Sequence, residues 1–481
     1  MRLARLLSKW YPTGDSPCGE AAIKELVIDS RQVREGDVFC ALAPQPEIRK
    51  AHIHQALEKK AACVLVDGKH ANGDRQEARV ISVPDLAAQL DVLAKTRYGA
   101  PSIPLFAVTG TNGKTSVAWM GARLFSELGL RCGYIGTLGA ELDQRQWSTQ
   151  HTTPDLFTLY RLIASMQQAG AEACFLEASS HALAQGRLAG LSFKLGVFTN
   201  LSQDHLDYHG DMQTYRAAKW SLWLQCETLI GNSDDPHNVD LPREPPRLNY
   251  GSDERADLEL CDYKSIPKGI EWTVAWRGEK FSLRAPLAGR LMLDNLLAIH
   301  ACALTLGYSQ QAIKTALRSL CAPPGRMEMV HRQPKVIVDY AHSPDALERL
   351  LLSLGEMRGD RQRLGLVFGC GGNRDAGKRP LMGDIAARLA DRVFITSDNP
   401  RDESPRAIAD AIIAGVKPAL LDKLDCELDR KKAIYLALDW CKPNDCLAIA
   451  GKGHETTQEI ADVKLPCNDS RLVREYFDHA G

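Results

Sequence analysis

The 481-residue sequence lacks several features, and each absence excludes a class of protein. No window approaches the run of about 18 apolar residues that a membrane-spanning helix needs, so we expect no membrane partner. The formal net charge is only -1, which leaves no basic excess for nucleic acid. The first twenty residues include basic positions but no continuous apolar core or small-residue cleavage site, so we expect no signal peptide.

The 14 cysteines also lack the spacing of a metal site. There is no C-x-x-C pair, and the nearest approach to one is Cys441 with Cys446. A chain of this length does not need disulfides to build a stable core. We therefore interpret the cysteines as reduced thiols in a cytoplasmic protein.

What the sequence does contain is the composition of a soluble globular protein, with 44% hydrophobic and 25% charged residues. Its length corresponds to roughly three domains of about 150 residues each. Two breaks rich in proline and glycine, "YGAPSIP" and "CAPPGRMEMV", divide the chain. We predict domains at 1–100, 101–327 and 328–481.

Short apolar runs alternate with helical patterns almost throughout, which predicts α/β layers with mostly parallel sheets. Strands are predicted at "AACVLVDG", "ARVISVP", "LFAVTG", "CGYIGTLG", "ACFLEASS" and "LGVFTNLS", and a helix at "HIHQALEKK". The alternating segment "GIEWTVAWRGEKFSLRAPL" predicts an antiparallel hairpin. Polar clusters follow most of these strands, where parallel sheets place their ligands.

One such cluster, in "FAVTGTNGKTSVAWM", resembles a phosphate-binding loop. Gly113, Lys114 and Thr115 fit the pattern G-x-x-x-x-G-K-[ST], but Val108 stands where the first glycine belongs. Backbone N–H groups from Gly110 to Thr115 would surround phosphates, Lys114 would add a positive charge, and Thr115 would ligate magnesium. The alternative is a chance glycine-rich turn before a helix.

Two other strand ends supply candidate metal ligands. "FLEASSH" offers the carboxylate of Glu177, and "TNLSQDHLDYHG" offers His205 with Asp204 and Asp207 beside it. Taken separately, Glu177 could be an ordinary solvated carboxylate and His205 an ordinary loop histidine. Their combination with the phosphate loop favours a shared magnesium site.

From about residue 25 to the C-terminus, the chain closely resembles the Mur ligase family. The resemblance rests on motifs in a fixed order: "GTNGKT", "EASSH", "TNLSQDHLDYHG" with "YRAAKW", "GRME", "DYAHSPDAL", "FGCGGNRDAGKRPLM", "SDNPR" and "AGKGHE". The family's own phosphate loop reads G-T-N-G-K-[ST], which accounts for Val108. The resemblance implies an N-terminal UDP-precursor domain, a central ATPase domain with the phosphate loop and a mostly parallel sheet, and a C-terminal Rossmann-like domain.

The resemblance implies an ATP-dependent, ADP-forming amide ligase. An acceptor carboxylate takes the γ-phosphoryl group, an amine attacks the resulting acyl phosphate, and phosphate leaves. The implied catalytic residues are Lys114, Glu177, His205 and Lys219. Lys219 would carry a carbamate, as N6-carboxylysine, and would hold Mg²⁺ together with Thr115, Glu177 and His205; the alternative is a plain surface lysine.

The resemblance also implies two sets of binding residues. The ATP set is Gly110, Thr111, Asn112, Gly113, Lys114, Thr115, Ser116, Asn295, Arg326, Asp339 and His342. The UDP-precursor set is Ile28, Ser30, Thr152, Thr153, Ser179, Gln185 and Arg187. The sequence departs from the family at Gln45–Arg49, where glycines are replaced and Pro46 would stiffen a turn, and at His151, which replaces a common asparagine. These departures concern the uridine contacts.

"SDNPR" marks the family members that use diaminopimelate. An arginine can hold both oxygens of a carboxylate in a planar fork, and this substrate has a distal carboxylate that lysine lacks. The implied pocket is Arg374, Asp398, Asn399, Pro400, Arg401, Gly451 and Glu455. The alternative is a strand end stopped by proline, with a surface ion pair.

We therefore expect a cytoplasmic, monomeric ligase of peptidoglycan precursor synthesis that acts on small molecules. It would add meso-2,6-diaminopimelate to UDP-MurNAc-L-Ala-D-Glu. Folylpolyglutamate synthase shares the loop, but usually continues Lys-Gly-Ser and lacks D-N-P-R. A divergent paralogue acting on another carboxylate, or a non-catalytic nucleotide-binding scaffold, are the remaining alternatives.

Overall fold

The computed structural model describes residues 1–11, 21–70, 79–238, 244–266, 268–359 and 362–480. The chain has the predicted α/β fold with mostly parallel sheets. It divides into two compact units, of which the first holds residues 1–107, 131–194 and 209–227 and the second holds the other described residues. The boundaries near residues 100 and 327 stay a prediction.

The helices mostly follow strands, as the alternating pattern predicted. They are α1 Leu3–Leu6, α2 Pro46–Glu58, α3 Leu90–Tyr98, α4 Lys114–Glu127, α5 Leu156–Gln168, α6 Ser180–Ala184, α7 Leu206–His209, α8 Met212–Trp220, α9 Arg290–Thr305, α10 Gln310–Ala316, α11 Pro344–Met357, α12 Lys378–Leu389, α13 Pro405–Ile413, α14 Arg430–Trp440 and α15 Asp469–Ala480. Capping side chains or a proline at the first position mark the start of several of these helices. The Asp155 carboxylate accepts from two backbone N–H groups at the start of α5, and Ser343 with Pro344 begins α11.

The strands are short and largely apolar. They are β1 Leu26–Val27, β2 Val38–Ala41, β3 Cys63–Asp67, β4 Val80–Val83, β5 Leu105–Thr109, β6 Cys132–Gly136, β7 Gly139–Leu142, β8 Arg145–Trp147, β9 Ala173–Glu177, β10 Phe193–Phe198, β11 Cys226–Asn232, β12 Arg247–Gly251, β13 Leu258–Ile266, β14 Gly269–Trp276, β15 Glu279–Ala285, β16 Glu328–Arg332, β17 Lys335–Val338, β18 Leu364–Phe368, β19 Arg392–Ile395, β20 Leu424–Cys426, β21 Cys446–Ile449, β22 Thr457–Ile460 and β23 Val463–Pro466.

The first unit contains a four-stranded parallel sheet in the order β1-β2-β3-β4. Its strands are almost wholly buried, as is usual for parallel strands covered on both faces. The same unit contains the strand order β9-β6-β7-β8 and the first three residues of β5; β6 and β9 are parallel, and β6, β7 and β8 form an antiparallel meander. The meander was not predicted, because β7 and β8 contain polar and exposed residues.

The second unit contains the strand order β15-β14-β13-β12-β11-β10. The hairpin predicted from the alternating segment is confirmed as β14 and β15. A separate six-stranded sheet has the order β16-β17-β21-β18-β19-β20, parallel except for β16. A two-stranded antiparallel ribbon, β22 with β23, follows it in the chain and was not predicted.

The interpretation of residues 45–49 as a stiffened turn is wrong from Pro46 onward. Pro46 is the first residue of α2, a position where the missing N–H of proline has no cost. Arg49 is only 3% exposed and donates to the carbonyl oxygens of Ala43 and Pro44. This segment therefore begins a helix and is held by a buried arginine.

Two of the expected absences can be compared with the described residues. No helix in the described ranges is long and apolar enough to span a membrane. The cysteines within those ranges are free thiols, and most of them are buried.

Candidate active site

The predicted phosphate loop connects β5 to α4. Gly110 has a φ of +142° and Gly113 a φ of +84°, backbone conformations that glycine adopts most easily. A Cβ atom at Gly110 would collide with Oγ1 of Thr199, and one at Gly113 would lie 2.6 Å from Oδ1 of Asn295. Both glycines are thus required by close packing as well as by conformation, and the loop leads into a helix N-terminus.

Side chains that follow β10 support this loop. Oγ1 of Thr199 donates to the Asn112 carbonyl oxygen at 2.5 Å, and the Asn200 side chain accepts from the Asn112 N–H at 3.0 Å. The Thr111 N–H donates to the Asn200 carbonyl oxygen at 2.8 Å. Uncharged groups therefore fix the loop backbone, which leaves the helix N-terminus as its main source of positive potential besides Lys114.

Lys114 lies over the loop. Its Nζ donates to the carbonyl oxygens of Gly110 at 2.9 Å and of Thr111 at 2.8 Å. Thr115 is 5% exposed and occupies the first turn of α4. Both residues are placed as a phosphate loop requires.

Asp345 was not singled out as a site residue, yet its side chain contacts the loop. Its Oδ2 accepts from Nδ2 of Asn112 at 3.0 Å and from Oγ of Ser202 at 3.2 Å. Oδ1 accepts from Nε of Arg349, one turn further along α11. The carboxylate thereby connects the phosphate loop to the start of α11.

Glu177 ends β9 in the first unit and is 1% exposed. Its Oε1 accepts from the Tyr134 hydroxyl at 2.6 Å and from the Thr137 N–H at 2.9 Å, and its Oε2 accepts from Oγ1 of Thr137 at 3.1 Å. A buried carboxylate oriented by three donors is not an ordinary solvated glutamate. This geometry is compatible with a fixed oxygen ligand for a hard cation.

Lys219 is 1% exposed, so it is not a surface lysine. Its Nζ lies 4.6 Å from the centroid of the Tyr215 ring, and the ring of His209 lies 5.2 Å from that of Tyr215. His205, in the second unit, has a φ of +53°, and its Nε2 lies 3.4 Å from Asp204. No group of three His, Cys, Asp or Glu side chains suited to a metal occurs in the described part of the chain; the predicted set contains only two such residues.

A cavity of about 1260 Å³ in the first unit is lined by three of the predicted precursor residues, Ile28, Gln185 and Arg187. His151 also lines it. The guanidinium of Arg187 is held by the side chain of Gln185 and by the Thr153 carbonyl oxygen, the latter at 2.8 Å.

The other predicted precursor residues do not line this cavity. Oγ1 of Thr153 donates to the Glu177 carbonyl oxygen at 2.7 Å and lies 3.2 Å from Oγ of Ser179, and Thr152 shares a hydrogen bond with Thr137. Ser30 is buried, with 3% exposure. Thr153 thus links Ser179 to the backbone of Glu177.

The predicted nucleotide contacts Arg326, Asp339 and His342 lie around one tyrosine. The guanidinium carbon of Arg326 lies 4.2 Å from the centroid of the Tyr340 ring, and the ring of His342 lies 4.7 Å from it. Asp339 accepts from the N–H groups of Met327 and Ala341 at 2.7 and 2.8 Å. Burial raises the pKa of Asp339, against the opposing effect of Arg326 and of these donors.

The predicted amino-acid pocket lies after β19 and β21. Oδ2 of Asp398 is buried without a hydrogen-bond partner among the described residues, and a Cβ atom at Gly451 would lie 2.6 Å from it. Nδ2 of Asn399 donates to Glu455 at 2.9 Å. The pocket therefore contains one acidic oxygen that still lacks a donor.

Lys452, which sequence reasoning left without a role, is fully buried in this pocket. Its Nζ donates to Oδ1 of Asn399 at 3.0 Å and to Oε2 of Glu455 at 2.7 Å. Burial works to raise the pKa of Glu455, but the hydrogen bond and charge of Lys452 and the hydrogen bond from Asn399 together outweigh it, so that pKa lies below its ordinary value. Glu455 is thus already paired within the protein.

The two predicted carboxylate clamps flank Gly371. A Cβ atom there would lie 3.3 Å from Nη1 of Arg401 and 3.6 Å from Cγ of Arg374. Arg401 donates through Nε to Glu459 at 3.1 Å and through Nη1 to the Gly372 carbonyl oxygen at 2.8 Å. Buried Pro400 completes the turn between Asn399 and Arg401. Arg374 lies exposed in the neighbouring loop.

A buried ion pair supports this pocket. Arg430 and Asp469 are 1% and 0% exposed, and two hydrogen bonds of 2.8 and 2.7 Å join them. Arg430 also donates to the carbonyl oxygens of Ser397 at 3.3 Å and Ala450 at 3.0 Å, the residues directly before Asp398 and Gly451. The pair therefore ties together the two strand ends that carry the pocket.

Comparison with known proteins identifies the family. The Mur ligase middle domain matches residues 108–303, and the Mur ligase glutamate ligase domain matches residues 325–453. A UDP-N-acetylmuramoyl-L-alanyl-D-glutamate–2,6-diaminopimelate ligase from Pseudomonas aeruginosa is 44% identical over 476 residues, 96% of each chain. A solved structure of a ligase with the same name has a TM-score of 0.70 at 32% identity, over 100% of this chain and 99% of that one. The structure of a Thermotoga maritima MurF ligase in complex with ADP has a TM-score of 0.65 at 20% identity, over 95% and 98%.

The chain belongs to the Mur ligase family and has its three-domain α/β architecture. It is an ATP-dependent ligase of peptidoglycan precursor synthesis that acts on small molecules.

Proposed function

We propose that this ligase adds meso-2,6-diaminopimelate to UDP-MurNAc-L-Ala-D-Glu. The names of its relatives support this substrate, and so does the composition of the amino-acid pocket. The observation that carries the assignment is the buried Oδ2 of Asp398, which has no hydrogen-bond partner among the described residues and lies next to Gly451. A buried oxygen without a donor is unfavourable, and a substrate ammonium would supply the missing hydrogen bond.

The distal carboxylate of the substrate would bind the two clamps. Glu459 and the Gly372 carbonyl oxygen hold Arg401 through Nε and Nη1, and Nη2 would donate to the substrate carboxylate. Lysine has no distal carboxylate, so it would leave this guanidinium without its substrate partner. Because Glu455 is paired with Lys452, Asp398 is the better acceptor for the ammonium.

In the reaction, a carboxylate of the precursor attacks the γ-phosphorus of ATP and ADP leaves. The substrate amine then attacks the acyl phosphate, loses a proton, and inorganic phosphate leaves as the amide forms. Lys114 and the loop N–H groups would hold the phosphates, and Arg326 would stabilise the charge on the transferred group. The precursor would occupy the cavity lined by Ile28, Gln185 and Arg187.

Magnesium would be held by Thr115, Glu177, His205 and Lys219. The first three offer a hydroxyl, a buried carboxylate and an imidazole, and Lys219 would join them only as a carbamate, because an ammonium cannot ligate a cation. The burial of Lys219 supports a role other than surface charge. The metal would neutralise charge on the transferred phosphoryl group.

Purified protein supplied with ATP, magnesium and UDP-MurNAc-L-Ala-D-Glu should release phosphate with meso-diaminopimelate and much less with lysine. Arg401→Ala should lower kcat/KM for diaminopimelate by about 10- to 100-fold, the range for losing charge-assisted hydrogen bonds. Arg406→Ala is the matched control, since Arg406 forms only an exposed pair with Asp410. Equal use of both amino acids, or equal effects of both variants, would contradict the assignment.

We also propose that the enzyme works as a monomer in the cytoplasm, where ATP and nucleotide-linked precursors are available. The free thiols of the described cysteines support a reducing compartment. Light scattering during gel filtration should give a mass near the 53.0 kDa of one chain. A larger mass would contradict the proposal that the enzyme is a monomer.

A further inference from the structure

Tyr340 lies between residues of two predicted binding sets. Its ring faces the Arg326 guanidinium at 4.2 Å and the rings of His342 at 4.7 Å and His454 at 5.3 Å. Arg326 and His342 belong to the predicted ATP set, and His454 directly precedes Glu455 of the amino-acid pocket. Neither Tyr340 nor His454 was singled out from the sequence.

Two glycines allow the backbone to approach Tyr340 closely. Gly325 and Gly453 have φ values of +64° and +51°. A Cβ atom at Gly453 would lie 2.8 Å from Cβ of Tyr340 and 2.7 Å from the Gly325 carbonyl oxygen. These contacts restrict the backbone and Cβ of Tyr340, from which its ring extends beneath Arg326.

Two buried polar atoms beside Tyr340 have no hydrogen-bond partner among the described residues. They are Nε of Arg326 and Nδ1 of His454. Burial lowers the pKa of His454 to about 4, with a further lowering by Arg326, so the imidazole is neutral near pH 7. Because His454 carries no charge there, it does not repel Arg326, and the guanidinium lies against the aromatic face of Tyr340 with the charge of Asp339 also acting on it.

We propose that Tyr340 is a positioning residue, whose ring holds the Arg326 guanidinium for the terminal phosphate of ATP. A cation over an aromatic face is attracted to the ring quadrupole while its N–H groups stay directed outward in the guanidinium plane. The ring thus fixes the position of Arg326 without using the donors that a phosphate needs. This inference rests on the proposed role of Arg326 in ATP binding.

The test compares Tyr340→Leu with Tyr340→Phe, which keeps the aromatic face. Tyr340→Leu should raise the Kd for a non-hydrolysable ATP analogue by about 3- to 30-fold, measured by titration calorimetry, and Tyr340→Phe should stay near wild type. Tyr435→Leu is the matched control, because Lys431 lies 5.4 Å from the Tyr435 ring on α14. It should leave the Kd unchanged.

A double-mutant cycle separates positioning from a general structural role. In an Arg326→Ala background, Tyr340→Leu should have little further effect on the Kd, because the group that it positions is gone. Additive effects would overturn the proposal, as would equal rises in KM for ATP and for the amino acid. Analogue binding does not require ligation, so a wild-type enzyme that binds the analogue but does not join diaminopimelate would reject the proposed substrate alone.

Discussion

The phosphate loop and the amino-acid pocket are built in opposite ways. The loop is shaped by backbone and by uncharged side chains, with Thr199, Asn200 and Asn295 packed against its glycines. The pocket is shaped by charged side chains, many of them paired, including the buried pair Arg430–Asp469 and the pair of buried Lys452 with Glu455. The loop should therefore be sensitive to added volume, and the pocket to the loss of one member of a charge pair.

We expect the largest effect from breaking the buried ion pair between Arg430 and Asp469. Arg430→Met should destabilise the fold by about 3–5 kcal/mol, because Asp469 remains as a buried charge without a partner. Urea denaturation measures this loss. Arg471→Met is the control, since its pair with Glu475 has exposures of 78% and 32% and contributes about 0–1 kcal/mol. The double variant Arg430→Met, Asp469→Leu should recover much of the loss; no recovery would mean that the charge is not the cause.

The second prediction tests the loop by adding volume, in the form of a single methyl group. Gly110→Ala should lower the rate of ADP formation by about 100-fold, because the new Cβ would collide with Thr199 and displace the loop by an ångström or so. Gly129→Ala is the matched control: Gly129 also has a positive φ, of +90°, but has open space around it. Equal losses in both variants would attribute the effect to backbone strain and not to packing.

Acid should destabilise both regions, by a smaller amount. His300 lies on α9, the helix that also carries Asn295, and burial lowers its pKa from 6.5 to about 4. The unfolded chain takes up this proton first, so stability falls as the pH drops below 6.5 and levels off below about 4. Between pH 7 and 5 the loss is about 2 kcal/mol.

His454 adds a loss of the same sign from the pocket, whereas Glu455 stays ionised because its pKa is lowered. Denaturation at both pH values should show a smaller loss for His300→Gln than for wild type. An equal loss in the variant would assign the acid sensitivity to other groups.

Much of the fold follows from local patterns. Parallel strands such as β3 and β18 are continuous apolar runs, so their positions could be predicted. The meander of β7 and β8 could not, because its residues alternate weakly and are partly exposed. Pro46 was misinterpreted because proline is compatible both with a turn and with the first position of a helix, and only the buried Arg49 distinguishes them.

The candidate site was predictable only where residues stand in motifs. Tyr340, Asp345, Lys452 and His454 lie inside motifs already recognised, and a search for charged or aromatic motif residues without a role would have found them. Arg430 and Asp469 are 39 residues apart, with no local pattern around either. Their pairing depends on the packing of α14 against α15, which single-sequence reasoning does not provide.

The contact of Asp345 with Asn112 and Ser202 limits how members of this family can exchange parts. Its donors and its acceptor fall in two separately matched segments, residues 108–303 and 325–453. A chimera that takes the second segment from a relative without an acid at this position would leave both donors unmet. A working exchange of either segment would therefore have to keep an acceptor at this position together with its two donors.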